Sequence, residues 1–163
     1  MARSKGRQQQ RNKDEFEQYI VDLARVTRVM AGGKRMRFRA CVVVGDKKGR
    51  VGAALAKGKD VTMAVQKAGV KARKKLMRVP IVNDTIPHPV FSKYASAKVM
   101  LKPARRGEGL IAGGAIRIVL EAAGIPNVVS KMRGSRNKVN NVAATLKALG
   151  QLRTSEAIKQ SRQ

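Results

Sequence analysis

The sequence predicts an α+β protein in two parts: a three-stranded antiparallel sheet with one helix, followed by a smaller α/β unit. Three observations predict it. Through much of residues 22–56 apolar side chains recur at every second position, and after Asp60 they switch to helical spacing. Three prolines and an Asn-Asp pair then break residues 79–89 (VPIVNDTIPHP), where a helix cannot continue. Beyond the break, short extended segments alternate with short helical ones.

The alternation is clearest in KRMRFRACVVVG, where Met36, Phe38, Ala40, Val42 and Val44 share one face and Arg35, Arg37 and Arg39 the other. Cys41 and Val43 continue the arginine face, so that face must become covered. LARVTRVM precedes it across a Gly32-Gly33 turn, GDKKG forms a hairpin turn with glycine for positive φ, and RVGAALA returns. Asp60 is placed to N-cap a helix over residues 60–78. Val61, Ala64, Val65, Ala68, Ala72 and Leu76 line one side of it; Lys67, Lys71, Lys74, Lys75 and Arg78 line the other. A merely solvated helix intersperses glutamates for i, i+4 pairing. This one has none, and its length of about 28 Å would track several backbone phosphates. The order strand, strand, strand, helix, with a basic helix start, resembles a double-stranded-RNA-binding domain, which reads shape and phosphate. The opening helix of that arrangement would have to be residues 14–23, or be missing.

In the second part, HPVFSKYASAKVMLKPA reads as two extended segments and AIRIVLEAAG as a helix from Ala115 to Ala123, stopped by Gly124 and Pro126. NVVSKMRG is a further strand. NKVNNVAATLKALGQL is a helix with Val139, Val142, Ala143, Leu146 and Leu149 on its apolar side. The expected organisation is a basic arm at residues 1–20, the sheet-and-helix unit at 21–80, the α/β unit at 81–150 and a loose tail at 151–163.

Composition narrows the function. The 163 residues hold 36 Lys plus Arg against 10 Asp plus Glu, a net charge of +26. Self-repulsion on the order of 10–20 kcal/mol rivals the about 5–15 kcal/mol of ordinary folding stability. Such a chain belongs against a polyanion. Membrane is the weaker candidate, because no stretch approaches a span and aromatic anchors are scarce, with no Trp, three Phe and two Tyr. A lone Cys41 excludes disulfides and a thiolate zinc site, and suits a reducing compartment. Residues 1–13 (Arg3, Lys5, Arg7, Arg11, Lys13) form a basic arm without apolar side chains to pack, expected to order only on a polyanion. Asp14, Glu15, Glu17 and Asp22 then mark a stretch that lies away from it. The main footprint falls between Arg25 and Arg78. Its candidates are Arg25, Arg28, Lys34, Arg35, Arg37, Lys47, Lys48, Arg50, Lys57, Lys59, Lys67, Lys71, Lys74 and Lys75, with a weaker cluster at Lys131, Arg133, Arg136 and Lys138.

Catalysis has little to stand on. His88 lies between two prolines, Cys41 sits in a valine-rich strand, and Asp84 and Glu108 are isolated carboxylates. No catalytic residue, cofactor or metal is expected. Gly107-x-Gly109-x-x-Ala112 fits the relaxed dinucleotide fingerprint, but Pro103 and Arg105-Arg106 interrupt its approach and no acid ends the next strand to hold a ribose. The glycine run, with Gly113 and Gly114, instead allows close approach of phosphate or a protein neighbour. Gly49-Arg50-Val51-Gly52 has the spacing of a KH loop but falls in a hairpin, and Gly58-Lys59 is followed by Asp60 rather than the Ser or Thr of a Walker A loop.

VVVGDKKGRVGAALAKGKD, AVQKAGVKARKKL, HPV, KVMLKPA, GLIAGGAIRIVLEAAGIPNV and GSRN, in this order over about residues 21–150, resemble the small-subunit ribosomal protein S5 family. The resemblance implies a cytoplasmic ribosomal RNA-binding protein with a double-stranded-RNA-binding-like domain and a C-terminal α/β domain. It implies 16S rRNA as ligand, the ribosomal proteins S4 and S8 as neighbours, a position where mRNA enters the small subunit, and an influence on decoding accuracy. It also implies no membrane and no homo-oligomer. By resemblance, the loop between the first two strands (Thr27, Arg28, Val29, Met30, Ala31, Gly32, Gly33, Lys34) reaches toward the decoding region. The family commonly has Lys where this chain has Ala31; Lys34 and Arg35 are the nearest substitutes. Gly109 and Arg117 match the contact with S4, with Gly113 and Gly114 beside them. Arg105 and Arg106 replace usually small or acidic residues and are candidates for mRNA or fidelity contacts. Two other classes compete: an architectural DNA-binding protein, which should carry apolar wedges, and an RNA-processing enzyme, which would need a metal or acid/base constellation.

Overall fold

A computed structural model describes residues 16–154 and 159–160 of the chain. The basic arm at residues 1–13, with Asp14 and Glu15, lies outside the described residues. Four strands, β1 (Glu17–Met30), β2 (Gly33–Gly45), β3 (Arg50–Gly58) and the two-residue β4 (Met77–Arg78), form an antiparallel sheet in that order. Helix α1 (Val61–Arg73) packs on one face. The second sheet, ordered β5-β6-β8-β7, comprises β5 (Val90–Tyr94), β6 (Ala97–Pro103), β8 (Val128–Gly134) and β7 (Leu110–Ile111), the last parallel to β8. Helices α2 (Gly114–Ala123) and α3 (Lys138–Gly150) complete this α+β protein.

Alternation in β2 builds the core on both sides of the first sheet. Ala40, Val42 and Val44 are fully buried with Ala64, Ala68 and Ala72 of α1, so small side chains let the helix lie close to the sheet. On the other face Cys41 and Val43 join Val51, Val119, Leu120 and Leu149 in a core that reaches into the second unit. The cover inferred from Cys41 and Val43 is therefore the α/β unit itself. Burial holds the Cys41 thiol well above its usual pKa, at about 11, as fits a packed side chain.

Four expectations are corrected. Residues 17–23 form the start of β1, pairing with Ala40 to Gly45, so no opening helix occupies residues 17–23. Helix α1 ends at Arg73 and not at Arg78: Lys74 caps it, the Lys75 amide bonds to the Ala72 carbonyl, and Met77–Arg78 crosses to pair with β3. Residues 27–34 are not a loose loop, since Met30 pairs with Gly33 and only Ala31 and Gly32 turn, one residue earlier than the expected Gly32-Gly33 turn. Asp60 does take the expected N-cap position, although its side chain makes no capping bond; its carboxylate accepts from the Thr62 hydroxyl at 2.5 Å. The tail expected to be loose contributes Leu152 to the core.

The two units interlock at the turn after β2. Lys47 and Gly49 amides donate to the Ala122 and Ala123 carbonyls at 3.1 and 2.9 Å, satisfying orphan carbonyls at the end of α2. Gly124 closes that helix in the left-handed region (φ 76°), its amide bonding to Glu121 and that of Ile125 to Leu120, a Schellman pair. A methyl on Gly124 would stand 2.0 Å from the Lys47 carbonyl oxygen, whereas one on Gly114 would meet nothing within 4 Å. Chemical denaturation should therefore show Gly124→Ala losing about 2 kcal/mol or more, from left-handed strain plus the clash, while Gly114→Ala stays level or gains up to about 1 kcal/mol. Equal effects would contradict this account of the docking.

Candidate nucleic-acid interface

The β1/β2 hairpin projects its far end beyond the core: Phe38 still packs on the helix-covered cluster, but residues 33–37 beyond it are all exposed, and Val29 is 75% exposed. Register brings the cations together. Arg28 pairs across from Arg35 and Val26 from Arg37, while Arg39 pairs with Lys57 of β3. Like charges directly opposite destabilise a sheet, so Arg28 opposite Arg35 is a cost that a bound anion would offset. Arg28, Arg35, Arg37 and Lys57 line a groove of about 260 Å³ with Val26, Thr27 and Met30. A second groove, of about 500 Å³, runs between β3 and the outer face of α1, lined by Ala56, Lys57, Gln66, Lys67, Val70, Lys71 and Lys74. Lys57 belongs to both, so the hairpin and the helix face form one continuous cationic surface.

Among the described residues, no carboxylate lines either groove. The acids that make ion pairs stand elsewhere: Asp22 faces Arg39 and Lys138 at 3.6 and 3.7 Å, Glu17 holds Lys47 at 2.7 Å, and Asp84 faces Arg106 at 3.4 Å. Lys67, Lys71 and Lys74, whose burial would have refuted the phosphate-binding reading, are exposed.

Other sequence candidates sit apart from this surface. Arg25 lies on the α1 side of the ribbon and donates to the Met36 thioether; Lys34 is on that side near the tip. Lys59 is exposed just before α1, and Lys75 joins Lys71 in a groove toward α3. Lys47, Lys48 and Arg50 occupy the opposite end of the sheet, where two of them are bound within the fold. Lys47 donates to Glu17, which also accepts from the Tyr19 hydroxyl; these bonds, that from Lys47 first, lower the Glu17 pKa and raise those of both partners. Arg50 bonds Asp46 at 2.6 Å and lies 4.9 Å from the Phe16 ring centre. Arg133 and Arg136 are exposed on the second unit. Gly107 and Gly109 amides converge on the Asn127 side chain at 3.2 and 3.1 Å, so part of the glycine run is satisfied inside the protein. Gly113 abuts Met132, Gly114 begins α2, and Arg105 and Arg117 are exposed. His88 accepts from the Arg153 amide through Nε2 and donates from Nδ1 to the Pro89 carbonyl, an arrangement that holds a chain end. Among the described residues, no group of three or more His, Cys, Asp or Glu could hold a metal ion, and no helix is long and apolar enough to cross a membrane. Sequence reasoning missed Val26, Gln66 and Val70 as groove residues; their side-chain types carry no charge signal, and only the packed positions of hairpin and helix reveal them.

Residues 16–80 match the family description "Ribosomal protein S5, N-terminal domain" and residues 92–162 match "Ribosomal protein S5, C-terminal domain". Small ribosomal subunit protein uS5 of Thermus thermophilus is 45% identical over 148 residues, covering 91% of this chain and 91% of that one. The chain belongs to the ribosomal protein S5 family. Its counterpart from Acaryochloris marina is 46% identical over 158 residues, 94% of this chain and 89% of the relative. The uS5c protein of Spinacia oleracea is 51% identical over 142 residues, or 86% of this chain, which spans only 46% of the spinach protein's length. Against the uS5 protein of Mycoplasmopsis agalactiae the corresponding share is 65%. The S5 family is structural and not enzymatic.

Asp46 anchors the end of the sheet opposite the grooves. Its Oδ1 accepts from the Lys48 and Arg50 amides at 2.8 and 2.9 Å and its Oδ2 from the Arg50 guanidinium. Burial opposes ionisation, but the Arg50 bond and the two amides outweigh it and hold the pKa below the ordinary 3.8. A depressed folded-state pKa stabilises above the ordinary value and ceases to do so as pH falls through the folded value. Asp46→Asn should cost about 1–3 kcal/mol at neutral pH, with the gap from the parent chain narrowing in urea titrations as pH falls below the ordinary carboxylate value of 3.8; a gap independent of pH would contradict the ionised cap.

Proposed function

We propose that this chain is a structural constituent of the small ribosomal subunit that binds 16S rRNA. The observation that carries the reading is the pair of carboxylate-free grooves sharing Lys57. Cations at these positions neutralise phosphates from more than one rRNA helix, positioning the protein without reading base sequence. Lys59 and the amides at the start of α1 add donors for phosphate. The division at residues 79–89 separates an RNA-facing unit from one that packs on protein neighbours, for which S4 and S8 are the proposed partners through Gly109, Gly113, Gly114 and Arg117. A place near incoming mRNA, with an influence on decoding accuracy, follows from the same reading; Arg105 and Arg106 are its candidates. An architectural DNA-binding role is the second reading, favoured by the exposed apolar tip at Val29 and Met30; competition between duplex RNA and duplex DNA separates the two.

Contact with roughly 6–10 phosphates implies that affinity for a 16S rRNA fragment falls by about 10³ to 10⁵ between about 50 and 200 mM salt. Replacing Lys67, Lys71 and Lys74 by Gln should reduce the log–log salt slope by about 2 to 3. A flat salt response in the parent chain, or an unchanged slope in the variant, would refute the helix-face contacts. Changing Arg105 and Arg106 together to Ser should alter decoding error in cells while small subunits still incorporate the protein; unchanged error would remove both residues from that role.

A further inference from the structure

Among the described residues, helices α2 and α3 cover only one face of the second sheet. Helices α2 and α3 pack with the inward residues Val99, Leu101 and Val128. Register places the outward residues in rows: Phe91 beside Met100 beside Lys131, and Lys93 beside Lys98 beside Arg133. Lys93, Lys98, Lys131 and Arg133 are exposed, and Phe91 is 56% exposed at the edge. None of the four strands contains an acid. A row of three cations on adjacent strands destabilises a sheet standing in water, and the ion pairs among the described residues lie elsewhere.

We propose that this open face binds a single-stranded segment of RNA, with phosphates on Lys93, Lys98, Lys131 and Arg133 and an unstacked base on Phe91. The inference takes from the proposed function only that the polyanion is RNA. Single-stranded RNA fits because the face is a sheet with no loop or helix end to enter a duplex groove, and a duplex conceals the base faces that an exposed aromatic ring would stack on. An acidic protein surface would match the cations but gives no specific use to Phe91.

The full chain can be tested by fluorescence anisotropy with an oligouridylate of about 20 nucleotides and, in parallel, a duplex RNA. Lys98→Gln with Arg133→Gln should weaken oligouridylate binding and lower its salt slope by about 1.4, the value for two lost single-strand phosphate contacts. Phe91→Ala should weaken it about fivefold or more with the slope unchanged, since stacking carries no counterions. Both variants should retain duplex binding, which the Lys67, Lys71 and Lys74 replacement should reduce. Relief of the cation row should leave the melting temperature of Lys98→Gln/Arg133→Gln at or above that of the parent, so loss of binding cannot be ascribed to unfolding. Failure of the parent chain to bind oligouridylate, or unchanged binding in both sheet variants while the helix variant loses duplex affinity, overturns the sheet-face proposal and leaves the rRNA reading standing. A loss confined to the charge variant, with Phe91→Ala unchanged, also overturns it, since phosphate contacts without a stacked base do not distinguish a single strand.

Discussion

Strand β2 is buried on both faces over its second half, and the placement of every functional side chain follows from that. Ala40, Val42 and Val44 lie under α1, and Cys41 and Val43 lie under the second unit. A lysine or arginine on either face there would be a buried cation without a partner, which costs more than a fold of this size can absorb. The cations are therefore placed where burial ends: on the hairpin beyond Arg39, on the outer side of α1, and on the uncovered face of the second sheet. Because the hairpin remains paired to its two-residue turn, its charges are held in register before any ligand arrives, which reduces the ordering cost of binding.

The same strand leads directly into the joint between the units. Gly45 has no room for a side chain, since a methyl would stand 2.0 Å from the Ala122 carbonyl oxygen. Beyond it, the Asp46-bonded turn engages the last carbonyls of α2. Core packing and turn hydrogen bonds thus fix one unit against the other, so that the grooves on the first and the open sheet of the second present a single rigid arrangement of charge.

Much of this was legible in the sequence. The period of two in Met36 to Val44 identified the helix-covered face, and Cys41 and Val43 revealed a second cover. The glycine after Ala123 stopped α2 within one residue of where the helix ends. What was illegible depended on distant partners. Phe16, Tyr19, Ile20 and Leu23 are spaced as on a helix, yet pairing with the buried half of β2 draws residues 17–23 into a strand. Leu76 likewise keeps the period of α1, but Gly52 of β3 packs against the Ala72 and Lys75 carbonyls and the chain turns away toward β4. For the candidate interface, charge counting pointed to the segment from Arg25 to Arg78 but could not show that Lys57 lines two grooves, nor that Lys47 and Arg50 are committed to Glu17 and Asp46. Counting also gave the second unit only a weak cluster, since Lys93, Lys98 and Arg133 are far apart in sequence and become neighbours only through strand pairing.

With a net charge of +26, and with four of its ten acids, Glu17, Asp22, Asp46 and Asp84, already held in ion pairs among the described residues, this protein is electrostatically incomplete alone. The central claim is that rRNA completes it at the two joined grooves. Lysine acetylation footprinting, comparing the free chain with the same chain in reconstituted small subunits, tests this residue by residue. The account requires Lys57, Lys67, Lys71 and Lys74 to be reactive in the free protein and strongly protected in the subunit. If these four stayed as reactive after assembly as before it, the grooves would not be where this protein meets RNA.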